Sequence, residues 1–140
     1  MIIGIVGSRR RNTDKDYLNL LWKIVELEYN NNTLVKKIVT GDCSEGGDKF
    51  ARKIANDSKD IELDVKFKRD PETGEKLEGY RRCSYNEFTQ ICYERNEEIA
   101  KEPLDYLIAL VAPDRKGGTE NTIKHFKRHH VNWEFKLIIL

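Results

Sequence analysis

The sequence LDYLIALVAPDRKGGTENTI, Leu104 to Ile123, decides how the rest of the chain is read. It opens with eight largely apolar residues, Leu104 to Val111, interrupted at Asp105 and Tyr106 and closed off by Pro113. An apolar run bounded by turn residues suits a strand buried on both faces of a parallel sheet. The chain then turns through Asp114, Arg115, Lys116, Gly117 and Gly118 and restarts as a helix at Thr119. Glycine lets a ligand approach the backbone, the first helical N–H groups are unpaired, and the helix dipole adds partial positive charge. A phosphate is the expected guest of the turn Gly117-Gly118-Thr119, with Arg115 and Lys116 beside it.

Working outward, the N-terminal side repeats the same alternation. Met1 to Val6 reads as a strand ending at Gly7-Ser8-Arg9. A helix follows with Asn12, Thr13 and Asp14 as N-cap candidates. Its apolar positions Leu18, Leu21, Trp22, Val25 and Tyr29 recur at helical spacing and mark the expected buried face. Leu34 to Thr40 is the second strand, and the loop from Gly41 to Asp48 leads into a helix with Phe50, Ala51, Ile54 and Ala55 on one face. Ile61 to Phe67 alternates as a third, half-exposed strand. Lys68 to Gly79 is polar, with turn signals at Asp70-Pro71 and Thr73-Gly74, and reads as a surface excursion. A long helix from about Ser84 to Lys101 precedes the central strand. After the last helix, Thr119 to His129, a fifth strand is expected from Trp133 to Leu140.

This rhythm argues for an α/β domain spanning residues 1–140, with five strands in a mostly parallel, doubly wound sheet and helices on both faces. Ligands of such sheets bind outside the carboxyl ends of the strands. Three polar, glycine-bearing loops fall there: Gly7-Ser8-Arg9, Gly41 to Asp48, and Asp114 to Thr119.

Composition limits the alternatives. The chain has 140 residues, 39% hydrophobic and 35% charged, with a net charge of +1, so affinity for anions has to be local. No apolar run approaches the ~20 residues of a membrane span. Met1-Ile2-Ile3 enters a strand directly, and Arg9-Arg10-Arg11 is not followed by an apolar stretch. Cys43, Cys83 and Cys92 lack metal-site spacing and read as reduced thiols. A cytoplasmic protein without a membrane partner is expected.

On the long helix, Tyr85, Phe88, Cys92 and Ile99 define the expected buried stripe. Arg95 and Asn96 project to the same side, where an unpaired charge is costly. Arg95 pairs with a carboxylate such as Glu98 or Asp105, snorkels out to water, or serves as a ligand-binding group.

Taken in order, Gly7-Ser8-Arg9, Thr40-Gly41 with Gly46-Gly47-Asp48 and Ala51, Glu94-Arg95-Asn96, the strand from Asp105 to Val111, and Gly117-Gly118-Thr119 resemble the SLOG superfamily. That group includes the Smf/DprA proteins, the LOG enzymes and small YspA-like members. The resemblance implies a Rossmann-like fold and a site for a nucleotide or nucleotide-derived ligand, with phosphate on Gly117 to Thr119. It maps the Gly-Asp pattern onto Gly46, Gly47 and Asp48, and the Glu-Arg-Asn box onto Glu94, Arg95 and Asn96. LOG-type phosphoribohydrolases resemble one another in a PGGxGTxxE box whose glutamate assists cleavage of the N-glycosidic bond. Thr122 occupies that glutamate's position here. Glu120 lies about 200° around the helix from it and suits the helix N-terminus as favourable charge.

The resulting expectations are as follows. Gly7, Ser8, Arg9, Gly41, Gly46, Gly47, Asp48, Asn96, Gly117, Gly118 and Thr119 are candidate ligand-binding residues. Arg95, Glu94 and Glu120 are the candidate catalytic groups if the ligand is cleaved. A sensing or sequestering module comes first, an N-glycosidic hydrolase second. Single-stranded nucleic-acid binding comes last, because the balanced charge provides no basic face. Arg81-Arg82 could reach the same sheet edge, and Cys43 sits in a candidate site loop. His125 and His129 stand at i, i+4 on the last helix without a third ligand at a recognisable spacing, so no metal and no cofactor are assigned. Relatives in the resembled group are often dimers, and exposed Tyr93 is a candidate interface residue.

Overall fold

The computed structural model describes residues 1–77 and 84–140. Strands β1 (Ile2–Gly7), β2 (Lys37–Thr40), β3 (Glu62–Val65), β4 (Tyr106–Leu110) and β5 (Leu137–Ile139) form one sheet in the order β3-β2-β1-β4-β5. Every pairing is parallel, with Ile3 opposite Ile38 on one side and Tyr106 on the other. Helices α1 (Asp14–Asn31), α2 (Gly47–Asp57), α3 (Tyr85–Lys101) and α4 (Gly118–His129) make the crossovers. This is the Rossmann-like, doubly wound α/β fold that the alternation predicts.

Alternation along the central strands builds two cores. Ile3, Ile5, Ile38, Ile108 and Leu110 face α1 and α2, where Leu20, Ile24, Leu27, Phe50, Ala51 and Ile54 meet them. Val6, Val39, Leu107, Ala109 and Val111 face the opposite way, onto Ile99, Ala100, Ile123 and Phe126. Burying both faces of β1 and β4 explains why these strands read as near-continuous apolar runs.

Several boundaries differ from the sequence reading. The second and third strands are shorter than expected, and Trp133–Phe135 forms a short 3-10 turn before β5. Thr13 is the N-cap chosen for α1 and Ser84 that of α3, each in a reciprocal capping box, with Asp16 and Glu87 respectively. Residues 68–77 carry an isolated antiparallel bridge, Arg69 to Lys76.

Two helix faces need correction. On α1 the buried apolar residues are Leu20, Ile24 and Leu27, with Leu21 of the expected stripe half-buried against them, whereas Leu18, Trp22, Val25 and Tyr29 are exposed, Trp22 at 72%. Apolar residues lie on both sides of this helix, so periodicity alone could not choose the inward one. On α3 the core is met by Ile91, Asn96, Ile99 and Ala100, and Tyr85 is 74% exposed.

Candidate functional site

The strand order reverses between β1 and β4, which connect to opposite edges of the sheet. The loops leaving their carboxyl ends part there and open a crevice. A cleft of about 550 Å³ occupies the position, lined by Gly7, Ser8 and Arg9 after β1 and by Lys116, Gly117, Gly118 and Thr119 after β4. Cys43 and Asp48 contribute from the loop after β2 and the start of α2, and Arg95 and Asn96 from α3. Four segments far apart in sequence thus meet at one sheet edge.

The β4–α4 turn is built for open amides. Gly117 adopts φ +115 and ψ −167, a conformation essentially restricted to glycine. Among the described residues, no side chain caps the helix behind it, so the first N–H groups of α4 have no intrahelical or capping acceptor there. Thr122 is buried and donates its hydroxyl to the Gly118 carbonyl at 3.3 Å.

Asn96 fixes this turn. Its amide Nδ2 donates to the Gly118 carbonyl and to Asn121 Oδ1, both at 3.2 Å, and its Oδ1 accepts from Arg95 Nε at 3.0 Å. With these bonds made, Asn96 acts as a clamp between α3 and α4.

Arg95 lies against two acids. Its Nη1 donates to Asp42 Oδ1 at 2.6 Å and stands 3.6 Å from Asp48 Oδ2. Asp42, and neither Glu98 nor Asp105, is therefore its main partner. Asp105 instead accepts from the Ile2 amide. Lys68 also donates to Asp42, at 2.6 Å. Burial opposes ionisation of Asp42, but the Lys68 hydrogen bond and the Arg95 charge outweigh it and hold the carboxyl below its ordinary range. Asp48 behaves oppositely. Its deeper burial pushes the carboxyl up, although Arg95 and the Cys43 amide, which donates at 3.1 Å, favour the anion.

The other glycines play packing roles. Gly41, Gly46 and Gly47 do not line the cleft. A Cβ on Gly41 would lie 2.2 Å from Arg95 Nη1, so its absence leaves room for the guanidinium. One on Gly47 would lie 2.5 Å from the Val6 carbonyl carbon, so α2 can start against β1 only without a side chain there. The Gly46 amide donates to Asn12 Oδ1 at 3.0 Å, tying the two turns together.

The three consecutive arginines have separate tasks. Arg9 reaches the cleft and its Nε donates to Cys43 Sγ at 3.1 Å. Arg10 forms a two-pronged pair with Asp114, joining the β1 and β4 loops. Arg11 donates to Asp16 and to the carbonyls of Val111 and Leu140.

The candidate acids Glu94 and Glu120 are not brought into the cleft. Glu94 is exposed and accepts from Gln90, and Glu120 forms a two-pronged pair with Arg115. Asp48 is the carboxylate that lines the cleft among the described residues.

Sequence reasoning missed one wall. Tyr85, Phe88, Thr89, Cys92 and Tyr93 of α3 line the cleft, so the expected core stripe holds at Ile99 while Tyr85, Phe88 and Cys92 border the open site. It also missed Asp42, which only the packed structure places opposite Arg95. Arg52 went unnoticed too, and it braces the β2 loop through the carbonyls of Gly41 and Cys43. A second cleft of about 640 Å³ adjoins the first, sharing Arg9, Cys43 and Phe88. Arg81 and Arg82 lie outside the described residues.

The fold and this edge define a class: a Rossmann-like α/β protein with an open, polar-and-aromatic cleft at its switch point. The chain matches no protein-family model and no curated protein. Among the described residues, no helix is long and apolar enough to cross a membrane.

Proposed function

We propose that the cleft binds a nucleotide or nucleotide-derived small molecule, as a sensing or sequestering module related to the SLOG group. The observation carrying this reading is the uncapped start of α4, opening at the switch point opposite the Ser8–Arg9 turn. A phosphate there accepts from the Gly118 and Thr119 amides and gains from the dipole of α4. Lys116 and Arg9 supply formal charge from either side. Tyr85, Phe88 and Tyr93 offer flat apolar surface for a base, and Asp48 with Arg95 presents polar groups to a ribose.

Binding is favoured over hydrolysis by the placement of the acids. Glycosidic cleavage needs a carboxylate beside the developing positive charge on the sugar. Glu94 and Glu120 are turned to other partners, and Thr122 has no acid to offer. If cleavage occurs, Asp48 is the residue to carry it.

Incubation with nucleoside monophosphates and dinucleotides separates the two readings. Thermal stabilisation with no free base released supports a binding module, and stoichiometric release of base supports the hydrolase. Gly118→Val combined with Thr119→Ala tests the site itself. A Cβ on Gly118 meets Asn96 Nδ2 at an ordinary 3.6 Å, so the first carbon of the new side chain fits, and a circular dichroism spectrum checks that the variant folds. The expected result is at least tenfold weaker binding, about 1.4 kcal/mol. An undiminished ligand-induced shift in this variant rules the site out.

A further inference from the structure

The packing of α3 on α4 assembles a cluster remote from the cleft. Glu97 Oε1 of α3 lies 3.0 Å from His129 Nε2 and 3.9 Å from His125 Nδ1 of α4. The three candidate donor atoms all fall within 4.8 Å of one another. The two histidines are one helical turn apart, so both rings leave the same side of α4. Glu97 comes from a helix more than twenty residues earlier, which is why spacing along the sequence gave no third ligand.

One atom in this group is unusual. His125 Nδ1 is the one buried side-chain nitrogen or oxygen left without a hydrogen-bond partner among the described residues. Buried polar atoms are rarely left so, because desolvation costs on the order of 1–3 kcal/mol. The neighbouring His130 is differently engaged, with Nε2 2.8 Å from the Ala100 carbonyl and its ring stacked on Phe126.

We infer that Glu97, His125 and His129 form a binding site for a borderline divalent transition-metal ion such as zinc. Two imidazole nitrogens and a carboxylate oxygen are the donor set such ions take, with a fourth position left to water or an added ligand. Bonds of 2.0–2.2 Å in a tetrahedron require donor atoms roughly 3.3–3.6 Å apart. Glu97 Oε1 stands 3.0 Å from one imidazole nitrogen and 3.9 Å from the other, on either side of that range, and side-chain rotation is needed to seat an ion. Lys101 Nζ, 3.4 Å from Glu97 Oε1, would have to withdraw, and its side chain is mostly exposed.

His125 lies seven residues from Gly118, about 10 Å along α4, so the site is separate from the phosphate turn. Metal binding here would staple α3 to α4. These helices carry Arg95, Asn96 and the uncapped amides.

The test is titration of the tag-free, full-length chain with zinc, and with cobalt as a spectroscopic stand-in. The expected result is one equivalent bound, a Tm that rises with zinc concentration, and a tetrahedral cobalt spectrum lacking the sulfur charge-transfer band. His129→Ala and Glu97→Gln, both at partly exposed positions, should each weaken zinc binding at least tenfold while keeping the native circular dichroism spectrum. Failure to take up metal, uptake undiminished in both variants, or a thiolate band would each overturn the assignment.

Discussion

Asp42 shows how one residue can hold a site that it does not itself line. Its carboxylate accepts from Arg95 and Lys68 and so fixes the guanidinium at the floor of the cleft. Asp42→Asn should destabilise the fold by about 2–3 kcal/mol near neutral pH, the scale of hydrogen bonds to charged groups. The sign of the pH dependence follows from the depressed native pKa. The stabilisation is fully present above the unfolded carboxyl value of about 3.9 and is lost as pH falls through the lower native value. Denaturant melts of wild type and variant at stepped pH check this. The two stabilities should converge in acid, and a constant gap would show that Asp42 acts through shape alone.

The residue scale also shows what a linear sequence conceals. Gly117-Gly118-Thr119 and Ser8-Arg9 were legible because each motif is local and follows a strand. Asp42, Glu97 and the aromatic wall were not, because Asp42 meets Arg95 only when α3 packs beside the loop after β2, and the other two depend on which faces of α3 turn towards α4 and the cleft. Arg9, Arg10 and Arg11 are identical in sequence and have three different partners, set by loop geometry that sequence spacing does not encode.

At the scale of elements, the helix boundaries were read well where chemistry marks them. Thr13 and Ser84 open α1 and α3 with capping boxes, and Gly117 starts α4 through a backbone angle that other residues resist. The orientation of α1 was read from the wrong stripe because two apolar faces share the same helical period. Substitutions decide between these faces directly. Leu20→Ala should cost about 2–5 kcal/mol, the usual range for removing a large buried aliphatic side chain. Trp22→Ser should change stability by no more than about 0.5 kcal/mol, as exposed positions do. Chemical denaturation measures both, and a reversed order would mean that α1 packs through its other side.

At the scale of the molecule, the strand order β3-β2-β1-β4-β5 is what brings the parts together. Parallel strands with right-handed crossovers place α1 and α2 on one face of the sheet and α3 and α4 on the other. The loops after β1 and β4 separate at the reversal, and the start of α4 faces the gap. With a net charge of only +1, the proposed attraction of an anion would have to come from this local arrangement of amides, Arg9 and Lys116. The alternation of strands and helices made the architecture legible from the sequence. The composition of the cleft required the fold.

The most direct test is an amide-proton NMR titration of the full chain with a nucleoside monophosphate. Phosphate seated at the start of α4 predicts saturable downfield shifts of the Gly118 and Thr119 N–H resonances, with smaller changes at Ser8 and Arg9. Binding that perturbs other amides while leaving Gly118 and Thr119 unmoved would contradict the account.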